Sequence, residues 1–537
     1  MPNESNFNRQ FAVRSVGCYL LCIVLALVAV FRVVVINKTM ANKISGTPLN
    51  SVSFNYGDTR GNFYDAYGFP LTNETKEYLA VITPTSNAIR RLNTFYNLED
   101  RKIILEGLKS KKPILYKADT LINIDNIYGF EYTNRYINNS LLRHLIGYID
   151  AENKGVYGLE KSYDDILYSN NSLTVSLATN AKGEILQNSA LEFYGKQNTN
   201  SVYLTIDKRI QTIAEDAAIP LNKGAIIIAE TQSGKIRAVV SKPNFNQNSI
   251  AESLNDNNSP LINRALLSYN VGSAFKPCVA AAAIKDGLKD YEYICSGSCV
   301  INGYIFNCHK KSGHGKMNLK TAIANSCNTY FYNLAQEINK TTLYNTAVSF
   351  GFASNEAIAK NLNTSNCNLS SIEELNSSKR LVANFSIGQG NLLISPISML
   401  NLYNSIANNG NYVKPYVVEK IVVNGKTNKT ATTEVSTFDE ATATILREAL
   451  LEVVESGTGK LAKSESVLLA GKTATAETGW LINGETAVHS WFCGFFPYHN
   501  PKYTVIVFAE NSDITGSTTA EIFKNIAESM KKAGLTT

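Results

Sequence analysis

The sequence has little net charge and no tract of basic residues interleaved with aromatic ones. Its 537 residues carry a formal charge of only +6, which argues against nucleic acid as a partner. Internal repeats and long low-complexity segments are also missing. With 44% hydrophobic and 18% charged residues, the chain has the balance of globular protein, so wholesale disorder is excluded. Its length predicts two to four domains.

A long apolar run lies close to the N-terminus. Residues 16–31 carry no charge, and the run approaches the roughly 20 residues that span a bilayer. We predict a short cytoplasmic tail at 1–14 and a transmembrane anchor at 15–36. A cleaved signal peptide is the alternative, but the residues around Met40 form a poor cleavage site. A buried core helix would not explain the position at the N-terminal end.

Strand patterns lie at both ends of the region that follows residue 200. Residues 224–230 and 235–240 form a predicted hairpin, and residues 468–477, 490–497 and 503–509 are rich in β-formers. A helix-dominated stretch separates the two sets. Because strands from both ends of a domain can meet in one sheet, we predict an α/β domain of the α+β type with a central antiparallel sheet flanked by helices.

The first chemical feature is the pair Ser273 and Lys276, just before an apolar helix pattern. Residues three apart on a helix are neighbours, so a serine hydroxyl and a lysine amine at this spacing can share a hydrogen bond. A lysine that is desolvated or held near other cations has a lowered pKa and can take the proton of a serine nucleophile. Alone, the pair also fits a helix-capping serine followed by a solvated lysine.

Two further polar elements follow later in the chain. Ser326 and Asn328 could relay a proton and hold a substrate amide. Lys472, Thr473 and Thr475 lie on a predicted strand, where positive charge and hydroxyls suit a carboxylate and backbone N–H groups can form an oxyanion hole. Taken alone, the first element fits a turn and the second fits an edge strand with a solvated lysine.

Together the three elements resemble the Ser-x-x-Lys, Ser-x-Asn and Lys-Thr-Gly set of penicillin-binding proteins and β-lactamases. Residues 201–537 resemble the transpeptidase domain of class B penicillin-binding proteins, and residues 40–200 resemble the N-terminal, dimerisation-like pedestal of that family. The likeness extends to short matching stretches at 60–61, 146–147, 158–162, 204–207, 234–236, 241–243, 263–265, 313–315, 386–390 and 491–497.

The resemblance implies an acyl-enzyme mechanism in which the catalytic residues have separate roles. Ser273 attacks the carbonyl of the penultimate D-Ala of a peptidoglycan stem pentapeptide, and Lys276 accepts its proton. Ser326 helps to protonate the departing D-Ala, and Asn328 positions Lys276 and the substrate amide. An amine from a neighbouring stem peptide then resolves the acyl-enzyme. β-Lactams are the implied inhibitors, and no cofactor is implied.

The same resemblance assigns the substrate-binding groups. Lys472, Thr473 and Thr475 hold the terminal carboxylate, and the backbone N–H groups of Ser273 and Thr475 form the oxyanion hole. This chain departs from the family at Ala474, where glycine is usual. A methyl group there crowds the nucleophile only slightly, so we expect a tuned rate rather than lost activity. Val271 replaces a common proline, which predicts a change of loop shape only.

Cysteines and histidines cluster between the first two elements. Cys295, Cys299 and Cys308 are followed by His314, and these residue types can bind zinc. The sequence separations between them do not match a common zinc-binding motif. A disulfide and free thiols are the other interpretations. The resemblance favours a Cys295–Cys308 disulfide, because a similar cysteine pair frames this loop in sporulation-linked relatives. We therefore predict no metal.

Two other classes of function are alternatives to cross-linking. A D,D-carboxypeptidase or β-lactamase-type hydrolase is the first, but Ile372 stands where a class A β-lactamase requires its deacylating glutamate. A non-catalytic cell-wall scaffold or β-lactam sensor is the second, but no reactive side chain has been lost. The resemblance also implies a polytopic glycosyltransferase of the shape, elongation, division and sporulation (SEDS) class as the membrane partner.

Overall fold

A computed structural model describes residues 4–44, 51–169, 171–180, 185–186, 190–482, 484–511 and 514–536. The chain divides into two compact units. One unit holds residues 1–59, 76–132 and 170–196. The other holds residues 60–75, 133–169 and 197–537. Residues 60–75 and 133–169 therefore pack with the later part of the chain, and the division into a pedestal at 40–200 and a transpeptidase domain at 201–537 stays a prediction.

The helices, in chain order, are α1 Glu4–Ile44, α2 Ser86–Phe95, α3 Leu98–Leu108, α4 Arg143–Ile146, α5 Gly158–Ser162, α6 Asp164–Leu167, α7 Lys208–Ala217, α8 Lys276–Lys285, α9 Leu319–Ala324, α10 Asn328–Glu337, α11 Lys340–Ser349, α12 Ile372–Ser377, α13 Lys379–Ser386, α14 Pro396–Ala407, α15 Glu440–Glu455 and α16 Gly516–Lys532.

The strands, in chain order, are β1 Ser51–Asp58, β2 Asn62–Tyr64, β3 Lys76–Ile82, β4 Ile114–Ala118, β5 Asn123–Ile124, β6 Ile127–Thr133, β7 Ser172–Ala178, β8 Glu192–Tyr194, β9 Ser201–Leu204, β10 Gly224–Glu230, β11 Ile236–Lys242, β12 Tyr293–Cys295, β13 Ser298–Ile301, β14 Tyr304–Asn307, β15 Gly315–Met317, β16 Ala357–Ala359, β17 Leu362–Asn363, β18 Asn411–Val413, β19 Val418–Val423, β20 Lys426–Lys429, β21 Glu434–Ser436, β22 Ala470–Ile482, β23 Glu485–Phe496 and β24 Tyr503–Ala509.

The smaller unit begins with α1, whose residues Val13–Val35 are apolar and exposed. This stretch of 23 residues is about 35 Å long as a helix, enough to cross the hydrocarbon core of a bilayer. The unit also holds the sheets β1-β7-β8 and β4-β3-β6-β5. Helices α2 and α3 begin at the side-chain caps Thr85 and Asn97 and bury Leu92 and Ile104 in the same core as Ile82 of β3.

The larger unit is built on one five-stranded sheet in the order β11-β10-β24-β23-β22, with antiparallel pairing throughout. Strands from residues 224–242 thus join strands from residues 470–509, which confirms the predicted α+β arrangement. Its alternating side chains enter two cores. Trp491 and Phe508 pack with the helical middle, including α8 and α14. Phe492 and Val507 pack with α7 and α16 on the other side.

A buried ionic network fixes the early segments of the larger unit. The Arg60 Nε lies 2.8 Å from Glu160 Oε2, and the Arg135 Nε lies 2.6 Å from Glu160 Oε1. The Glu160 side chain is fully buried. Because one buried carboxylate serves two guanidinium groups, loss of Glu160 would leave both buried arginines without their shared partner.

Candidate active site

Ser273 lies in a short turn that leads into α8. The turn is the 3-10 helix Gly272–Phe275, and Pro277 occupies the first turn of α8, where a missing N–H costs little. Gly272 has φ +54, and a Cβ there would lie 3.0 Å from the Thr475 carbonyl oxygen. Because glycine has no Cβ, the backbone at Gly272 can pack directly against Thr475 of β22, and this contact fixes the position of the turn that carries Ser273.

Lys276 is fully buried and holds three hydrogen bonds to the Ser326–Asn328 segment. Its Nζ donates to the Ser326 carbonyl at 2.7 Å, to Ser326 Oγ at 3.1 Å and to Asn328 Oδ1 at 2.8 Å. Ser326 Oγ in turn donates to Ser273 Oγ at 3.0 Å. The structure therefore brings all four predicted catalytic residues together, with the Ser326 hydroxyl between the serine and the lysine.

The backbone at Ser326 makes this arrangement possible. Ser326 has φ +53, a left-handed conformation that is uncommon for residues other than glycine. The chain leaves α9, turns sharply at Ser326 and enters α10 at Asn328. Both the carbonyl and the hydroxyl of Ser326 consequently face the same lysine.

Two buried lysines give the site its electrostatics. Burial lowers the pKa of Lys276 from its usual 10.5 to about 7. The pKa of Lys472 is lowered well below its usual value by burial and then by the nearby charge of Lys276. A lysine with a pKa near neutrality can act as a base under ordinary conditions, which is the property that the sequence predicted for Lys276.

The edge strand β22 carries the third predicted element. Lys472 Nζ donates to the Thr473 carbonyl at 2.8 Å, so its amine lies within the sheet rather than in solvent. The Thr473 hydroxyl lies 2.9 Å from the hydroxyl of Thr458. A Cβ at Gly516 would lie 3.7 Å from Thr475 Oγ1, which places the start of α16 beside the same hydroxyls.

Thr458 was missed by sequence reasoning. It lies in a Ser-Gly-Thr-Gly segment between α15 and β22, and its backbone N–H donates to the Ala324 carbonyl at 3.1 Å. The signal in the sequence is the pair of glycines around a hydroxyl residue. In the structure a Cβ at Gly457 would lie 2.2 Å from the Ala324 carbonyl oxygen, and a Cβ at Gly459 would lie 3.0 Å from Val453 Cγ1. Thr458 adds a third hydroxyl to the expected carboxylate site.

Ala474 is buried on the face of β22 that receives the nucleophile turn. It pairs with Trp491 across the sheet and shares a core with Val271 and Ala274. The hydroxyl-bearing Thr473 and Thr475 flank it on the alternate face of the strand. The extra methyl group is therefore packed beside the turn that holds Ser273, where a change of rate is the expected consequence.

Four potential metal ligands converge behind the Ser326–Asn328 segment. They are the sulfurs of Cys295, Cys308 and Cys327 and a ring nitrogen of His314, all within 4.8 Å of one another. All nine cysteines are free thiols in the structure, so the Cys295–Cys308 disulfide stays a prediction. Sequence reasoning had not grouped Cys327 with this cluster, because it is the middle residue of the Ser-x-Asn element.

Known proteins share sequence similarity with this chain, which supports the predicted family independently of the site geometry. Residues 224–528 match the penicillin binding protein transpeptidase domain. The chain is 28% identical over 443 residues to the peptidoglycan D,D-transpeptidase MrdA of Acinetobacter baumannii, across 72% of this chain and 64% of MrdA. It is 28% identical over 451 residues to stage V sporulation protein D of Bacillus subtilis, across 80% of this chain and 67% of that protein. The chain thus spans about two thirds of the length of these relatives.

The fold is also found in solved structures. A chain from a peptidoglycan synthase complex, studied for its coordination of polymerization and crosslinking, has a TM-score of 0.71 at 22% identity, across 96% of this chain and 98% of that one. The domain match alone extends over more than half of the 537 residues. With the site geometry and the sheet topology, these likenesses confirm the predicted family: the chain belongs to the penicillin-binding protein transpeptidases.

Proposed function

We propose that this chain is a membrane-anchored D,D-transpeptidase that cross-links peptidoglycan by serine acyl transfer from D-Ala-D-Ala stem peptides. The observation that carries the proposal is the hydrogen-bonded series from Ser273 through Ser326 to Lys276. It joins a nucleophile to a buried amine whose pKa is lowered to about 7. The names of the relatives, which include peptidoglycan D,D-transpeptidases, point the same way.

The polarity of this series supports a path for the proton. The protonated Lys276 amine has three N–H donors and three acceptors around it. When it is neutral, two N–H groups still serve the Ser326 carbonyl and Asn328, and the lone pair faces Ser326 Oγ. The hydroxyls can then reverse, so that Ser273 donates to Ser326 and Ser326 donates to Lys276. The proton of Ser273 reaches the amine as its Oγ attacks.

Acylation is completed by the same groups. Ser273 Oγ forms a bond to the carbonyl carbon of the penultimate D-Ala, and the C–N bond to the terminal D-Ala breaks. The proton held by Lys276 returns through Ser326 to the departing amine. Backbone N–H groups of Ser273 and Thr475 stabilise the oxyanion in this proposal. An acceptor amine then forms the new amide, breaks the ester and gives its proton back to Ser273.

The substrate carboxylate is assigned to Thr473, Thr475 and Thr458, with Lys472 acting from within the sheet. Because Lys472 is buried and bonded to a carbonyl of its own strand, it contributes charge rather than a direct contact. A bound carboxylate would favour the protonated form of this amine. The sequence-based assignment had Lys472 contact the carboxylate together with Thr473 and Thr475. In this proposal only the threonines contact it, and Lys472 contributes its charge.

The proposal places the catalytic unit outside the cytoplasm, with α1 as a single-pass anchor in the cell membrane. Support comes from the exposed apolar stretch of α1. A SEDS-class glycosyltransferase is the proposed membrane partner, and β-lactams are the proposed inhibitors. A solved chain of the same fold comes from a peptidoglycan synthase complex, which agrees with work beside a polymerising partner.

A hydrolase is the second candidate function. The segment around Ile372, which was compared with the deacylation motif of class A β-lactamases, begins helix α12. There Ser371 and Glu374 form a reciprocal helix cap. Glu373 is exposed in the first turn of that helix. Because Glu374 caps the helix and Glu373 faces solvent, neither is held as the deacylating base of that motif, and we favour transfer to an amine.

A covalent labelling experiment tests the proposal. The full-length chain is incubated in detergent with a fluorescent penicillin and separated under denaturing conditions. We expect a labelled band for the wild type and for Ser110→Ala, an exposed serine of the smaller unit, and no band for Ser273→Ala. An unlabelled wild type would refute acylation, and a labelled Ser273→Ala would refute the assigned nucleophile. Release of D-Ala with a cross-linked product, rather than free acid, separates transfer from hydrolysis.

A further inference from the structure

The most unusual cluster outside the catalytic groups is the set of three sulfurs and one imidazole behind Ser326. His314 Nδ1 lies 3.5 Å from Cys295 Sγ and 3.5 Å from Cys308 Sγ. Cys308 Sγ lies 4.0 Å from Cys327 Sγ. The largest separation within the set is below 4.8 Å. Four donor atoms therefore surround one point.

The measured separations are close to those between the ligands of a tetrahedral zinc ion. With Zn–S bonds of ~2.3 Å and Zn–N bonds of ~2.0 Å, tetrahedral angles place two sulfurs ~3.8 Å apart and a sulfur and a nitrogen ~3.5 Å apart. A disulfide would instead need one pair of sulfurs to close to about 2.0 Å and would leave the third sulfur and the imidazole without a role. Three of the six separations are 3.5–4.0 Å and all six are within 4.8 Å, and this convergence of four donor atoms favours a shared ion.

The chemistry of the set selects the metal. Three thiols and one imidazole are soft and borderline donors of the kind that bind zinc, whereas calcium and magnesium prefer oxygen. The three cysteine side chains are buried, and only His314 is partly exposed. A site with four protein ligands has no open position, so its role is structural rather than catalytic.

The loop around the cluster is tightly closed on itself. Gly297 has φ +100, and a Cβ there would meet the Lys311 carbonyl oxygen at 2.0 Å. A Cβ at Gly313 would meet the Cys295 carbonyl oxygen at 2.3 Å. The Cys308 N–H donates to the Gly297 carbonyl at 2.9 Å. Backbone contacts thus gather Cys295, Cys308 and His314 before any metal binds.

We propose that Cys295, Cys308, His314 and Cys327 bind one zinc ion, which holds the Ser326–Asn328 segment in its catalytic position. Cys327 lies between the two residues that contact Lys276, at the N-cap of α10. The zinc–Cys327 bond ties this left-handed turn to the loop at 295–314. The proposal replaces the sequence-based expectation of a metal-free site with a Cys295–Cys308 disulfide.

Metal content tests the site directly. The full-length chain, purified in detergent under reducing conditions without chelator, should hold about one zinc per chain. His314→Ala and Cys308→Ser should hold far less, whereas Cys299→Ser, a nearby cysteine on β13 outside the set, should keep the ion. A wild type that neither carries nor takes up zinc would overturn the proposal. The proposal would also be overturned if both ligand variants retained zinc. It would be overturned as well if chain purified without reductant contained a disulfide between two of the four ligands.

Cobalt keeps the test decisive if the ligand variants do not fold. Cobalt(II) exchanged into the wild type should give the intense thiolate-to-cobalt absorption and the visible bands of a tetrahedral site. Their absence would refute the four-ligand centre without any mutation.

The link to catalysis rests on the proposed function and has its own readout. Removal of zinc from the wild type by a chelator should slow labelling by fluorescent penicillin, and added zinc should restore it. Labelling that is unchanged in the zinc-free chain would refute the positioning role. If the zinc-loaded wild type is never labelled, the proposed function fails while the metal centre stands, because zinc content is measured separately.

Discussion

The two buried lysines of the site are held in different ways. Lys276 donates to three groups of a distant segment, Ser326–Asn328. Lys472 donates to the carbonyl of the next residue on its own strand. The pKa of each is lowered mainly by burial. Because Lys276 is linked through Ser326 to the nucleophile, it is suited to move a proton, whereas Lys472 is suited to supply charge at a fixed place.

Replacement of Lys276 should have the larger effect on acylation. Lys276→Met keeps most of the length of the side chain and removes the base, so we expect the acylation rate with a fluorescent penicillin to fall by about 10²–10⁴-fold. Stopped-flow labelling measures the rate, and Lys285→Met, an exposed lysine at the end of the same helix, is the control. A loss of less than tenfold would mean that another group accepts the proton.

Replacement of Lys472 should have a smaller effect that depends on the carboxylate of the ligand. Loss of one charge-assisted interaction costs about 1.5–3 kcal/mol, so Lys472→Met should slow acylation by about 10–100-fold. The exposed Lys460→Met is the matched control. A penicillin ester, which lacks the carboxylate charge, sharpens the comparison. Lys472→Met should prefer the acid over the ester less strongly than the wild type does, because the threonine contacts remain, whereas Lys276→Met should keep the wild-type preference. An unchanged preference in Lys472→Met would contradict its assigned role.

The acylation rate should rise with pH through about 7 and then level off. Lys276 is a base only when neutral, and its pKa of about 7 predicts that the rate falls about tenfold for each pH unit below that value. The titratable groups that influence it are Lys472, Cys308 and Cys327. A rate profile from pH 5 to 9 measures the midpoint, and a midpoint near 10 would show that Lys276 is charged in the resting site.

Stability should follow the same titration with a defined sign. An unfolded Lys276 keeps its proton up to about its usual pKa of 10.5, whereas the folded residue loses it near 7. The unfolded state therefore binds more protons between these values, and the free energy of unfolding should rise with pH across that window. Lys276→Met should reduce this rise.

The sequence predicted which residues would meet at the candidate site better than it predicted how distant segments group into units. The residue types at 273, 276, 326 and 328 predicted one centre, and the strands at 224–240 and 470–509 predicted one sheet, because motif order and strand pattern are local signals. The segments at 60–75 and 133–169 pack with the later chain, a long-range grouping that no local pattern reveals.

The four ligands of the proposed zinc site and the position of Thr458 could not be predicted from the sequence for the same reason. Cys327 was read only as part of a Ser-x-Asn motif, and its distance from Cys295 and Cys308 depends on how α9, α10 and the loop at 295–314 pack. Thr458 follows α15 and reaches Thr473 only because β22 returns beside it. Both are products of chain segments that meet in space, with no fixed sequence spacing.

The smallest effect is expected at Ala474, where this chain departs from its family. Ala474→Gly removes a buried methyl group beside the nucleophile turn and gives the strand a more flexible residue. The free energy of unfolding should fall by about 0.5–1 kcal/mol, measured by chemical denaturation. The acylation rate should change by less than about tenfold, since an effect of ~1 kcal/mol or less on the barrier is expected. A loss of activity as large as that of Lys276→Met would mean that the methyl group shapes the catalytic turn itself, and that the alanine is a requirement of this chain.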